Sequence, residues 1–212
     1  MHSADKEASV TNFNSFRRNL VPAAIVAAMY SHSAVAEPVE YVIDSDHTHI
    51  IWQVDRFGFA NTVGSFVDIT GTLTLDEEAP EASHVAAKIS LSGLRSDLPE
   101  REKIVLGPHW LDAANYPQIT FTSTSTTPFE TEMCETQCAH VEGTMTLHGK
   151  TAPLSLTVHL NKFGTDPVSG APAAGFYAKG RFNRSDFGIL TAIGPVGDEV
   201  EFEIQLLAVS AE

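Results

Sequence analysis

The segment from Gly175 to Leu206, GFYAKGRFNRSDFGILTAIGPVGDEVEFEIQL, constrains the fold more than any other stretch of the chain. At its start Phe176, Ala178, Gly180 and Phe182 fall on one face, and Tyr177, Lys179 and Arg181 on the other. At its end Val200, Phe202, Ile204 and Leu206 alternate with Glu199, Glu201, Glu203 and Gln205. A period of two with one apolar face is the pattern of half-buried antiparallel strands. Between them, Arg184 to Ile189 lead into Val196-Gly197-Asp198-Glu199-Val200, whose Gly and Asp predict a turn that restarts pairing. Arg184 and Asp186 lie two apart and are expected to brace this connection as a charge pair.

The same period recurs upstream. Tyr41 to Asp44 and His49 to Phe57 read as strands, with Ile50, Trp52, Val54 and Arg56 sharing a face of the second. Phe57 to Gly64 reads as a connection, and Val67, Ile69, Gly71, Leu73 and Leu75 form the next alternating set. Strands follow at Val85 to Leu91, Ile119 to Thr127, Val141 to Leu147 and Leu154 to Leu160, with a hairpin turn at His148-Gly149-Lys150. Pro99 to Leu106, preceded by Asp97 and carrying Glu100 and Glu102, is the one helix candidate. With His109 to Asn115 it makes a flap that carries Trp110 and Leu111 toward what it covers. About eight strands at hairpin spacing, with almost no helix, predict an all-β antiparallel barrel or sandwich.

Residues 1–36 differ from the rest. Arg17 and Arg18 precede an apolar run from Leu20 to Tyr30, and Ala34 and Ala36 frame a cleavage site before Glu37. This is the order of a secretory signal, and the run is too short for a membrane span. Export to the periplasm with cleavage after Ala36 is therefore expected, leaving one domain over residues 37–212. The full chain has 13 basic and 27 acidic side chains. Lys6, Arg17, Arg18, Asp5 and Glu7 leave with the leader, so the mature chain keeps 10 and 25, a balance of −15. Such a surface disfavours nucleic acid as a partner and any binding driven mainly by phosphate contacts. In an oxidising compartment the two cysteines, Cys134 and Cys138, are expected to form a local disulfide closing a hairpin, contributing about 2 kcal/mol.

Several short pieces then match a known family in order and spacing. They are Tyr41-Val42-Ile43-Asp44 with His47-Thr48; Val54, Gly58-Phe59 and Val63-Gly64-Ser65-Phe66; Gly71 with Asp76; Tyr116-Pro117 before Ile119-Thr120-Phe121; Leu147-His148-Gly149 before Pro153; and Arg184 to Ile189 with Val196 to Val200. On these the chain resembles the YceI-like family of secreted, lipocalin-like polyisoprenoid-binding proteins. The resemblance implies an eight-stranded antiparallel barrel, with a short helical flap, that binds, sequesters or carries an isoprenoid lipid without catalysis. The lipid would be polyprenyl or quinone-type, and no other cofactor is expected. It allows transient membrane contact for lipid exchange and a homodimer.

The inward sets include the small residues Gly71, Ala87, Gly143, Ala178 and Gly180, where side-chain volume is withheld from the interior. The candidate lipid-binding residues are Trp52, Arg56, Phe59, Phe66, Trp110, Leu111, Phe121, Phe176, Phe182, Phe187 and Ile189. Arg56 and Ile104 stand at or near positions where the family usually has histidine. Arg56 therefore has two readings: its guanidinium receives an anionic or quinone-like head group inside, or it pairs with an acidic residue at the rim. Two rival functions remain in view. One is a metal-dependent periplasmic enzyme using Asp44, His47 and His49, the two histidines sharing a strand face. The other is a barrel that is simply filled and serves as an interaction module. No GxSxG nucleophile elbow occurs.

Overall fold

The computed structural model describes residues 38–131, 134 and 137–211, so the leader and its cleavage site lie outside the described residues. The strands are β1 (Val39–Ile43), β2 (His49–Arg56), β3 (Ala60–Phe66), β4 (Ile69–Leu75), β5 (His84–Ser90) and β6 (Leu94–Arg95). One helix, α1 (Pro99–Val105), follows, and then β7 (Gln118–Phe129), β8 (Cys138–Leu147), β9 (Lys150–Thr165), β10 (Pro172–Asn183) and β11 (Val196–Ser210).

Every strand pairing is antiparallel, and the order β1-β4-β5-β7-β8-β9-β10-β11 closes on itself where β11 meets β1. The result is the expected eight-stranded barrel. Its seam is forked. The C-terminal end of β11 pairs with β1, from Ser210 opposite Tyr41 to Ala208 opposite Ile43, while its middle pairs with β2, from Gln205 opposite His49 to Val200 opposite Val54. Strands β2 and β3 thus continue β1 and β4 past two breaks in the chain. At the first break Asp44 caps a single 3-10 turn, Ser45–His47, by accepting from the amides of Asp46 and His47. The buried Thr48 hydroxyl accepts from the Leu207 amide at 3.2 Å, keeping β11 satisfied where the neighbouring strand steps aside. The second break, at Val67 and Asp68, is bridged by Ser90 N–H to the Asp68 carbonyl and Val67 N–H to the Gly93 carbonyl.

Three local readings need correction. Phe57 to Gly64 is not a connection, since Ala60 opens β3, which runs back along β2 from Ala60 opposite Arg56 to Phe66 opposite Ile50. Val196 to Val200 is not a separate turn either. It is the start of β11, bulged so that Val196 and Val200 face Arg56 and Val54, two residues apart on β2. Arg184 and Asp186 form no pair: Arg184–Phe187 is a 3-10 turn, Asp186 is exposed, and the carboxylate that holds this turn is Asp198, bonded to the amide and hydroxyl of Ser185.

β5 and β7 end together where Ser90 lies opposite Gln118, and the free side of β3 meets only the two residues of β6. The flap lies over this part of the wall. Pro99 opens α1 and Glu100 and Glu102 occupy its first turn, as expected for a helix start. The next turn folds back on it through Leu111 N–H to the Val105 carbonyl and Ala113 N–H to the Leu106 carbonyl. Cys134 and Cys138 form the expected disulfide, which ties the connection after β7 to the first residue of β8.

Gly71 sits where a side chain cannot. Its φ is +153°, and a Cβ there would collide with the Ala86 carbonyl and approach the Ala87 Cα at 2.9 Å, both on the paired strand β5. Gly71→Ala is accordingly expected to destabilise the protein by about 1–3 kcal/mol, read as a lower urea midpoint at unchanged m-value. A second expectation concerns the 3-10 turn, where the His47 ring lies 2.8 Å from the Asp44 carboxylate. The hydrogen bond to Asp44 raises the His47 pKa, and the same bond lowers that of Asp44. The contribution from His47 is thus complete below the ordinary histidine value and is lost as pH rises through the raised one; that from Asp44 is lost as pH falls through its lowered value. Ring-proton NMR should place the His47 titration above the ordinary value of about 6.5, and Asp44→Asn should lower it toward that value.

Candidate functional site

The interior of the barrel is a cavity of about 1140 Å³. Its wall is built from the inward faces predicted by the alternation, including Trp52 and Val54 of β2, Phe121 of β7, Leu154 and Leu156 of β9, and Phe202 of β11. Two buried clusters meet along it, one around Tyr41, Phe66 and Leu73, the other around Met145, Leu147 and Phe187. A barrel of eight strands ordinarily has just enough interior for side chains. The space here stays open because aromatic rings lie against the wall. A Cβ on Gly143 would meet the Phe121 ring at 2.5 Å, one on Gly180 the Phe202 ring at 2.6 Å, and one on Gly64 the Trp52 ring, at 2.6 Å from Cε2. The missing side chains of Gly143 and Gly180 therefore do not leave gaps, as the sequence suggests; they are seats for rings that would otherwise project into the lumen.

Strand direction sorts the polar lining into two ends. Val196 faces Arg56 at one end, where the 3-10 turn carrying Arg184 and the flap carrying Arg101 also lie. At the other end β4 runs out into Asp76 and Glu77, Thr74 faces His84, and Phe129 faces Cys138, so Asp76, Glu77, His84, Glu130 and Gln137 line that mouth. The cavity is apolar along its length, basic at one mouth and acidic at the other.

Arg184 is only 5% exposed and spends its donors on backbone carbonyls: Gly197 at 2.9 Å from Nε, Thr191 at 3.1 Å from Nη1 and Val196 at 3.1 Å from Nη2. Its guanidinium lies 5.1 Å from the Trp110 ring. Burial lowers its pKa and the nearby Asp198 charge opposes that. The residue fastens the connection between β10 and β11 to the flap. Arg56, by contrast, stacks on Phe57 at 5.0 Å and has no ion pair or side-chain hydrogen bond among the described residues. It lines the mouth at its rim, and the expected acidic partner is not there.

Of the residues singled out from sequence, Trp52, Arg56, Phe66, Trp110, Leu111, Phe121, Phe176, Phe182 and Ile189 line the cavity. Phe59 and Phe187 do not. Phe59 projects from the β2–β3 turn and is 92% exposed, whereas Phe187 is buried under Phe182, ring centres 5.4 Å apart, as part of the end packing. Arg101 and Arg184 line the cavity without having been singled out for it. A signal for the first exists: Arg101, Ile104 and Val105 follow i, i+3, i+4 along α1 and all three face the cavity.

The proposed metal cluster does not assemble. His47 belongs to the 3-10 turn and points its ring at Asp44, so it shares no strand face with His49. Among the described residues the one group with converging ligand atoms is Cys134, Cys138 and His159, and both of its sulfurs are held in the disulfide.

Known proteins resemble this chain over nearly its whole barrel. The YceI-like domain profile matches residues 41–208. Protein YceI from Salmonella arizonae is 34% identical over 193 residues, which span 90% of this chain and 96% of that protein. Among solved structures, BcnA from Burkholderia cenocepacia superposes with a TM-score of 0.67 at 21% identity, covering 78% of this chain and 98% of its own. A polyisoprenoid-binding domain from Saccharophagus degradans, implicated in plant cell wall breakdown, has a TM-score of 0.55 at 12% identity, covering 81% and 99%. At these identities the structures attest the fold, and the profile and the Salmonella relative attest the lineage: the chain belongs to the YceI-like domain family.

Proposed function

We propose that this protein binds and carries an amphiphilic isoprenoid lipid, polyprenyl or quinone-type, as a non-catalytic periplasmic carrier. The observation that carries this reading is the cavity. At about 1140 Å³ it exceeds the roughly 300–1,000 Å³ of ordinary small-molecule sites, and its polar groups sit at the ends rather than along the length. A long apolar chain fits such a lumen and a compact polar metabolite does not. Burying each CH₂ of that chain contributes about 0.8 kcal/mol without any directed contact. The Saccharophagus neighbour, described as a polyisoprenoid-binding domain, supports the ligand class. The head group lies at the basic mouth, where Arg56 and Arg101 have no ion pair among the described residues. A phosphate, a carboxylate or a quinone carbonyl would each accept from them. The far mouth, with Asp76, Glu77 and Glu130, repels an anionic head and so receives the tail.

Protein purified gently from its native compartment should yield an isoprenoid lipid by mass spectrometry, close to one per chain. Gly180→Ala, whose new methyl meets the Phe202 and Leu156 side chains first, should keep the fold while pushing the Phe202 ring inward and lowering occupancy several-fold. Extracts free of lipid would favour the filled-barrel reading. In Arg56→Ala combined with Arg101→Ala, the distribution of head groups should shift while the apolar chain is retained. Unchanged lipid identity and occupancy would sink the assignment of the head to this mouth.

A further inference from the structure

The basic mouth is ringed by apolar side chains that the fold does not use. Phe59 at the tip of the β2–β3 turn is 92% exposed and Phe57 beside it 53%. The Phe57 amide bonds to the Pro195 carbonyl at 2.9 Å, which joins this tip to the β10–β11 connection, where Leu190 is 64% exposed and Ile193 is exposed as well. Ile104 of α1 both lines the cavity and faces solvent. Single exposed apolar residues are ordinary, but five from three separate segments around one opening form a surface. The tip is also built against conformational preference. Phe57 has φ of 57°, in the left-handed region that bulky aromatic residues rarely adopt and that a short polar residue would occupy at less cost.

Charge at this rim is available for an outside partner. Arg56 and Arg101 have no ion pair among the described residues, while three nearby carboxylates are engaged, Asp55 by the Gly58 amide, Glu102 by the Ser96 amide and Asp198 by Ser185, and Asp186 on the 3-10 turn faces solvent. Among the described residues the other mouth shows carboxylates, with Val168 exposed on the β9–β10 loop and Val39 at the start of β1.

We infer that the basic mouth docks on a phospholipid bilayer. Phe57, Phe59, Leu190 and Ile193 enter the boundary between head groups and acyl chains, and the guanidinium groups of Arg56 and Arg101 meet lipid phosphates. The cavity then opens onto the acyl region, so a lipid passes between barrel and membrane without crossing water. This inference rests on the lipid-carrying reading above and identifies the surface through which exchange takes place. Because the mature chain carries an excess of acid, contact is shallow and reversible, and it weakens on a strongly anionic bilayer. A carrier must leave as well as arrive.

Flotation of the mature protein with vesicles of phosphatidylcholine, alone and mixed with phosphatidylglycerol, tests this directly. Wild type should float with phosphatidylcholine vesicles. The double variant Phe59→Ser with Leu190→Ser, neither residue lining the cavity, should lower the bound fraction by about tenfold, since interfacial binding scales with buried apolar area. Val168→Ser at the opposite end should change nothing. Bound lipid, measured on all three proteins by mass spectrometry, should be the same. A wild type that floats with neither vesicle, a double variant that floats like wild type, or an equal loss in Val168→Ser overturns the docking surface. Capture of a protein partner by this face without vesicle binding overturns it too. Vesicle binding by a protein that carries no lipid leaves the docking surface standing and removes the carrier reading instead.

Discussion

Everything in this structure depends on the closure of β11 onto both β1 and β2. An open antiparallel sheet of this length would expose two edges of unpaired amides and carbonyls, and a filled barrel would need none of the space found here. By pairing its end with β1 and its middle with β2, one long strand closes the hydrogen-bond circuit while letting the wall bend at Asp44 to Thr48. The ladder then supplies connectivity that a packed interior would supply elsewhere. Rings seated over Gly64, Gly143 and Gly180 bury apolar area within the wall itself, so the lumen can stay open without the wall losing its packing.

That arrangement explains which parts of the fold are legible in the sequence. Alternation identifies the faces of β2, β10 and β11, because a two-residue period follows from pleating alone, and Pro99 with two early acids identifies α1. Alternation says nothing about which strand lies alongside, so the two chain breaks, the short β3 and the bulge at Val196 to Val200 are hidden from it. The Val-Gly-Asp-Glu-Val segment has turn chemistry because a bulge uses the same residues as a turn. The glycine seats are hidden for a related reason. A glycine on an inward face marks missing volume, but only the cross-strand pairing reveals that Phe202 stands opposite Gly180 and that Phe121, opposite Met145, reaches diagonally over Gly143.

Arg184 shows how a charged residue can be misassigned from neighbours in sequence. Asp186 is close along the chain, yet a 3-10 turn directs it outward, and the guanidinium instead collects carbonyls from Ile189 to Gly197. A fixed planar fork of donors suits such a place, because four carbonyls, two from the irregular connection and two from the bulged start of β11, converge on one group. Trp110 packs on the same guanidinium and carries the flap with it. The end of the barrel that holds the basic mouth is therefore assembled around an arginine that is itself fully engaged, leaving Arg56 and Arg101 as the ones available at the opening.

The separation of roles among three arginines bears on direction. If all three were free, an anionic head group would be held tightly by a concentrated positive field, and release to a membrane would be slow. With Arg184 compensated by carbonyl oxygens and by the nearby Asp198, two guanidinium groups on two elements, β2 and the flap, are left at the mouth, and on the carrier reading proposed above either would exchange a ligand phosphate for a phospholipid one. At the far end, Asp76 is spent on the amides of Glu78 and Ala79, so it shapes the turn as well as the potential. A lipid with an anionic head has one favourable orientation in such a field, head toward the apolar-ringed mouth. A neutral quinone feels the difference less, and its orientation is set by donors rather than by charge. On the carrier reading, the same barrel would thus impose direction on its cargo in proportion to the charge that the cargo carries.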